Sequence, residues 1–558
     1  MHDILFRNAL VFDGTGAPPA RGDVAVSGGR IATPGGPARE VVDVDGLALM
    51  PGIIDSHTHF DAQITWDPFV RPSPELGVTT AVIGNCGFTI APCKPQHRDL
   101  TMRNLTQVEG MSLEVLRRGI AWDFETFPEY LAQLERRGTA VNIAAYVGHS
   151  SVRTWVMGED ASRRAASDAE IGEMQAIVSE AMRAGAVGFA SSTSPAHNGE
   201  AGLPMPSRLA DEREMRALVA AMGEGGRGVY MLTKGAHTSL AFLESLAADS
   251  GRPVMVAALL HNGTNPRAVF DDLDAIAQAN SRNHALIGQV SCCPLTMDFT
   301  LQSPYPVEGL ASWKSALGLK GEALKAVLSR RDFRDGVRAE LATTSKFRLF
   351  NGEWDKVQVV EAPKHARYEQ CTLAEIARSE QRDPLDVMLD LALAENLQTV
   401  YTAELLNSDE EAVGRMLHHP HSIVSLSDAG AHLTFFNDAG FGLHLLGHWA
   451  RDLGAMSMGE AVRALTSRPA QVFGMRGRGV IREGCAADLL LFDPRTVARG
   501  PKRRVFDLPG GAPRLTTDAV GVHGVWVNGR QVVGRDGLLD SAPRAGKVLT
   551  SFSGLTGT

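Results

Sequence analysis

The sequence predicts an α/β fold: a (β/α)8 TIM-type barrel with a small β domain formed by both chain ends. Three observations carry this expectation. Short apolar runs alternate with amphipathic helical patterns through the middle of the 558 residues. β-type patterning occupies both termini. The first apolar run of the middle region, in LMPGIIDSHTHFD, delivers a His-x-His pair, His57 and His59, to its own end. A doubly wound sheet fits the periodicity alone equally well.

Residues 1 to 47 have β character, with turns at Asp13-Gly14 and Gly28-Gly29. Eight strands are then expected at 53–57, 79–85, 142–148, 186–191, 228–233, 254–260, 285–291 and 423–427. Helical patterns separate most of them, as at 168–184 and 210–223. Strands seven and eight are too far apart for one crossover. Residues 295–422 therefore read as a long insertion near the barrel mouth, rich in helix up to 417. β character returns at 478. The expected division is a small β domain from 1–47 and 478–545 and a barrel from 48–477. The final stretch, GKVLTSFSGLTGT, reads as a loosely held tail.

Composition excludes several classes. An apolar fraction of 44% and a charged fraction of 21% are those of an ordinary globular protein. A net charge of -9 without a long basic run argues against nucleic acid as a partner. No segment offers ~20 consecutive apolar residues, so no membrane span is expected. The N-terminal stretch lacks the pattern of a signal peptide and reads as a strand at once. Six cysteines at irregular spacing make no disulfide framework, so a reducing cytoplasm is the expected compartment.

Residues i and i+2 of a strand point to the same side. His57 and His59 then face one way, as two imidazole ligands of a metal must. In a barrel the C-terminal strand ends converge on one mouth. Those ends read Asn85-Cys86-Gly87, Gly148-His149-Ser150 with Arg153 beyond, Ser191-Ser192-Thr193, Thr233-Lys234-Gly235, His261-Asn262-Gly263 and Ser427-Asp428-Ala429. Each has an ordinary alternative: Asp428 as a helix cap, Cys86 as a small buried hydrophobe, His261 as a satisfied core histidine. Together they supply metal ligands, a carboxylate and hydrogen-bond donors.

These residues resemble the amidohydrolase superfamily and, within it, the N-acyl-D-amino-acid deacylase (D-aminoacylase) branch. NALVFDGTGAP, DVDGLALMPGIIDSHTHFD, GVTTAVIGNCGF, YVGHSSVR, SLSDAGAH, LTSRPAQVFG and GVIREGCAADLLLFDP carry the resemblance over nearly the whole chain. It implies a metal-bearing (β/α)8 barrel beside a β-sandwich built from both ends. It implies one or two divalent ions, usually zinc, and metal-bound hydroxide attacking the amide carbonyl of an N-acyl-D-amino acid or related N-acyl compound. Asp428 matches the general base and acid. His57, His59, Cys86 and His261 match metal ligands. His432 reads as structural rather than ligating.

Two departures bear on the substrate. D-aminoacylases resembling this chain place a metal-binding histidine after the strand-five threonine, where this chain has Lys234. A protonated lysine has no lone pair for a cation. Lys234 is read as a carboxylated ligand bridging two metals, as a neutral ligand, or as a charged substrate anchor. His237 is a further candidate ligand. Strand six ends in Leu260-His261-Asn262 rather than two adjacent histidines followed by lysine. Arg153, Arg348, His149, Ser191 and Ser192 are candidate contacts for a small-molecule amide substrate, and Tyr305 and Trp313 for an apolar wall. Rival readings are an amidohydrolase of a cyclic amide, carbamate or xenobiotic amide, and a metal-free barrel acting as a binding protein. Homo-oligomerisation stays open.

Overall fold

The computed structural model describes residues 1–345 and 348–553 and divides into two compact units. The first comprises Met1–Leu259, Asp272–Cys292 and Met416–Thr558; the second comprises Leu260–Asp271 and Cys293–Arg415.

The frame of the first unit is an eight-stranded, all-parallel sheet of the TIM type. Its strands, numbered one to eight in chain order, are Ile53–Asp55, Val78–Ile83, Asn142–Gly148, Gly188–Ser192, Val229–Thr233, Val254–Leu259, Leu286–Val290 and Ser422–Val424. They pair in sequence order, and the sheet curls until Thr58 and Ala429, just beyond strands one and eight, form a parallel bridge. Strands two, three, four and seven are buried at every residue, as apolar runs with helices outside require. The intervening helices start where local chemistry dictates. Asp168–Ala184 opens on a capping box between Ser167 and Glu170 and ends at Gly185 in the left-handed region. Glu212–Gly223 opens on Asp211, whose carboxylate accepts from Glu214 N.

Both chain ends enter one nine-stranded sheet. In it Leu489–Phe492 pairs with Ala48–Pro51, and that strand in turn lies beside His2–Val11. Its apolar core includes Phe6 and Trp526, packed edge to face at 4.8 Å, with Val24, Val26, Leu489 and Leu491. A separate hairpin, Ala498–Leu508 with Ala512–Val520, reaches the loop after strand eight, where Leu515 N donates to Leu433 O at 2.7 Å. The expected loose tail is instead held. Ile143 N donates to Lys547 O, Leu549 N to Ile143 O and Ser553 N to Gly474 O. The last five residues of that stretch, 554–558, lie outside the described residues.

The second unit is not simply helix-rich. Leu295–Phe299, Val357–Glu361 and Val400–Leu406 form a three-stranded antiparallel sheet, accompanied by helices such as Arg331–Leu341 and Pro384–Ala394. Trp313, expected as a pocket wall, is 0% exposed and packs on Phe333 inside this unit. Among the described residues no helix is long and apolar enough to cross a membrane.

Candidate metal centre

Strand one ends at Asp55, and the chain continues through Ser56 to His57 and His59, both buried. Nδ1 of His57 lies 2.9 Å from Oε1 of Gln289 on strand seven. With Nδ1 donating, Nε2 keeps its lone pair and faces Cys86 Sγ at 3.5 Å and Asp428 Oδ1 at 3.2 Å. Nδ1 of His59 faces Glu109 Oε1 at 3.3 Å, and its Nε2 faces Asp428 Oδ1 at 3.6 Å and Cys86 Sγ at 4.0 Å.

Cys86 arrives on a turn that only particular residues permit. Gly84, Cys86 and Gly87 all have positive φ, at 85°, 57° and 76°. A Cβ on Gly87 would stand 2.6 Å from Ala190 O, and one on Gly84 2.8 Å from Tyr146 O. The Asn85 amide ties the turn to Thr58 O and Val82 O. Cys86 thus holds a left-handed conformation unusual for a side-chain-bearing residue, a strain typical of functional sites. Asp428 is held similarly at φ 46°, and Gly430 lies so close to His59 that a Cβ would meet its carbonyl at 2.7 Å.

The donor set fits a divalent ion. Ligand atoms of His57, His59 and Cys86 all lie within 4.8 Å of one another. Donors bonded to one tetrahedral ion at about 2.0–2.3 Å lie roughly 3.3–3.7 Å apart. The separations of His57 Nε2 and His59 Nε2 from Cys86 Sγ and Asp428 Oδ1 run from 3.2 to 4.0 Å. Burial works against charge at His59, but Glu109, then Asp428 and Cys86, more than offset it and raise its pKa well above the ordinary value. At His57 burial is likewise outweighed, by Cys86 and Asp428. Burial pushes the Cys86 thiol up, yet the two imidazoles bring it down to about 7. Burial also opposes ionisation of Asp428, and His57 and His59 hold it below the usual carboxylate range. Two anionic donors and two imidazoles whose protons a cation displaces are the chemistry a zinc-type ion selects. A cavity of about 80 Å³ opens on the group, lined by His57, His59, Cys86, His197, Asp428 and His432.

Several expected site residues of the first unit stand elsewhere. Lys234 does not join the metal group. Thr233 turns its hydroxyl to Cys86 Sγ at 3.0 Å, so the next residue faces the other way, and Lys234 Nζ pairs with Asp272 at 3.0 Å. His261 belongs to the second unit, where its backbone N–H donates to the Asn407 side chain at 2.7 Å and its ring lies near Phe270. His237 is exposed. Arg153 and His149 are corrected from substrate contacts to members of a buried network. His149, Arg153 and Glu214 are each 0% exposed. His149 bonds Ser191 Oγ through Nδ1 and Glu214 through Nε2, both at 2.8 Å. Arg153 donates to the other Glu214 oxygen and to Ala161 and Arg164 carbonyls. No polar atom of either side chain is left for a ligand. Ser191 is spent on His149, while Ser192 bonds Nδ1 of the cavity-lining His197 at 2.6 Å.

Three contributors carried no sequence signal. Glu109 follows a helix at no ligand spacing, Gln289 sits inside a buried strand, and His197 lies in the loop after strand four. Only the strand-end position of Thr233 was legible.

A parallel sheet of TIM type carrying a His-x-His pair, a thiol and a carboxylate at one end defines a metal-dependent hydrolase class. The chain belongs to the amidohydrolase family, whose model matches residues 40–533. It is 30% identical to an N-acyl-D-aspartate deacylase of Alcaligenes xylosoxydans xylosoxydans, over 98% of this chain and 95% of that one. It is 29% identical to a D-aminoacylase of the same organism, over 95% and 94%. Among solved structures, an N-acyl-D-glutamate deacylase from Bordetella bronchiseptica, complexed with zinc and a phosphonate mimic of the tetrahedral intermediate, superposes with a TM-score of 0.67. It has 25% identity and covers 99% of this chain and all of that one. The chain is accordingly a hydrolase acting on carbon–nitrogen bonds other than peptide bonds.

Proposed function

We propose that this protein deacylates an N-acyl-D-amino acid or a related N-acyl compound, splitting the amide into a carboxylate and an amine. The observation that carries the reading is the convergence of His57 Nε2, His59 Nε2, Cys86 Sγ and Asp428 Oδ1 around one point. His57, His59 and Cys86 would hold a divalent ion, most simply zinc, which when bound acidifies water and polarises a carbonyl. Asp428, the donor with 23% of its side chain exposed, accepts the proton of the attacking water and passes it to the leaving nitrogen. The flanking imidazoles keep it ionised until that moment. Gln289 and Glu109 fix the ring orientations of His57 and His59. His432 lines the cavity with a buried Nδ1 that has no hydrogen-bond partner among the described residues, and so can meet a substrate oxygen.

The domain division belongs to the same reading: a β-sandwich from 1–47 and 478–545, the barrel from 48–477, and the insertion at 295–422. A cytoplasmic location does too, supported by six free cysteines. The Lys234–Asp272 pair favours one ion per chain and keeps the cyclic-amide alternative in view.

The test is elemental analysis of untagged protein, with Lys234→Ala alongside, followed by a panel of N-acetyl-D- and N-acetyl-L-amino acids. About one ion per chain, unchanged in the variant, with faster turnover of D-substrates, supports the proposal. No bound ion under any loading condition sinks it. Turnover of cyclic amides alone moves the assignment to the alternative.

A further inference from the structure

The first unit contains a second concavity, about 650 Å³, which the amidohydrolase reaction does not use. Arg463, Arg468, Arg476, Arg478 and Arg482 all line it, and among the described residues no aspartate or glutamate does. This is unusual placement for a chain whose net charge is -9. Many other arginines are matched with carboxylates, as in Arg103 with Asp99 and Glu200, or Arg503 with Asp518.

Here the matching fails. Among the described residues only Arg478 of the five has a carboxylate, Asp488, and it also donates to Asn528 Oδ1 at 3.1 Å. Arg468 has a backbone partner, Pro420 O at 3.2 Å. Burial, and then the charge of Arg463, disfavours its protonated form, which marks a guanidinium with no anion beside it. Arg463, Arg476 and Arg482 form no ion pair among the described residues. The acidic group that senses Arg463 is Glu460, which is already committed to capping Ser457. Each guanidinium presents a planar fork of donors suited to phosphate or carboxylate oxygens. The volume is that of a small-molecule site.

We propose that this cavity is a binding site for a small polyanion, a compound carrying two or more clustered phosphate or carboxylate groups. The arginines are held on Ser467–Phe473 and the turns that follow it, and on Met458–Leu465, so the charges are presented by packed elements. A ligand there neutralises like charges that repel one another in the free protein, and so stabilises the fold on binding.

The test is calorimetric titration of the full chain with inorganic tripolyphosphate and, separately, citrate. The double variant Arg476→Glu/Arg482→Glu is compared with Arg331→Glu, a fully exposed arginine of the second unit. Saturable binding at one per chain is expected. It should weaken at least tenfold in the double variant and less than twofold in Arg331→Glu, with amide hydrolysis unchanged in both and the unliganded melting temperature of the double variant no lower than the parent's. Preference for tripolyphosphate assigns a phosphorylated ligand; preference for citrate assigns a polycarboxylate. Absence of saturation with either probe, or equal affinity in all variants, overturns the proposal.

Discussion

Glu109 should control metal affinity although it touches no substrate. It is 3% exposed, it faces Nδ1 of His59 at 3.3 Å, and its Oε2 has no hydrogen-bond partner among the described residues. The carboxylate therefore has one task, to orient the ring so that Nε2 faces Cys86 and Asp428 and to raise its basicity. Glu109→Gln keeps the volume and removes the charge. Losing such a partner costs about 10–100-fold in metal affinity, which is roughly 1.4–2.7 kcal/mol. Glu109→Asp, with its carboxylate drawn back by one methylene, should fall between. The assay is zinc competition against a chromophoric chelator, on variants whose far-UV circular dichroism and metal-free melting temperature match the parent. A Glu109→Gln protein that binds zinc within twofold of the parent would refute the reasoning. Glu109 would then be a passive buried acid.

Arg153→Ala leaves Glu214 buried with half its partners gone and should destabilise the fold by about 3–5 kcal/mol, while KM on the folded fraction stays within twofold; a large KM rise at unchanged stability would restore Arg153 as a substrate contact. Gly87→Ala forces a Cβ toward Ala190 O at a residue with φ 76°. It should cost roughly 1–3 kcal/mol and empty the proposed metal site, and a metal content equal to the parent's on elemental analysis would contradict the turn argument. Burial raises Asp438 to about 6 against the pull of Arg499 and Lys502. A carboxyl raised in the folded state adds stability that is complete below its unfolded value and is lost as pH rises through about 6. Two units correspond to on the order of 3 kcal/mol, so Asp438→Asn should gain on the parent by up to that amount between pH 4 and pH 7 in denaturant titrations. A pH-independent difference would contradict it.

Much of the frame was legible because its signals are local. The eight parallel strands fall within a few residues of the apolar runs that announced them, and Asp168–Ala184 is the predicted helix to the residue. Those runs are buried on both faces, so hydrophobicity alone marks them. Strand eight is shorter than expected because the Leu426 and Asp428 backbones turn left-handed, which no residue type there announces. The sheet of the second unit was missed because its pairings join residues distant in sequence, as in Phe299 and Val359 with Tyr401. Its strands are half-buried and read weakly beside the stronger helical periodicity.

The candidate site divides the same way. His57, His59, Cys86 and Asp428 were visible because chemistry-bearing residues at strand ends are few and a curled parallel sheet must gather them. Lys234 and Arg153 were misplaced for complementary reasons. Strand ends identify a residue but not its side: once Thr233 faces Cys86, Lys234 faces Asp272. A motif identifies an arginine but not its partner, and Glu214, 61 residues away in sequence, claims Arg153. By itself the sequence determined which elements form and which residue types collect at their ends, since periodicity and motif are properties of neighbours along the chain. Which side chains face one another, what Glu109 and Gln289 hold, and where five arginines meet with one carboxylate among them were decided only by the tertiary structure, because those contacts are closed by packing between distant segments.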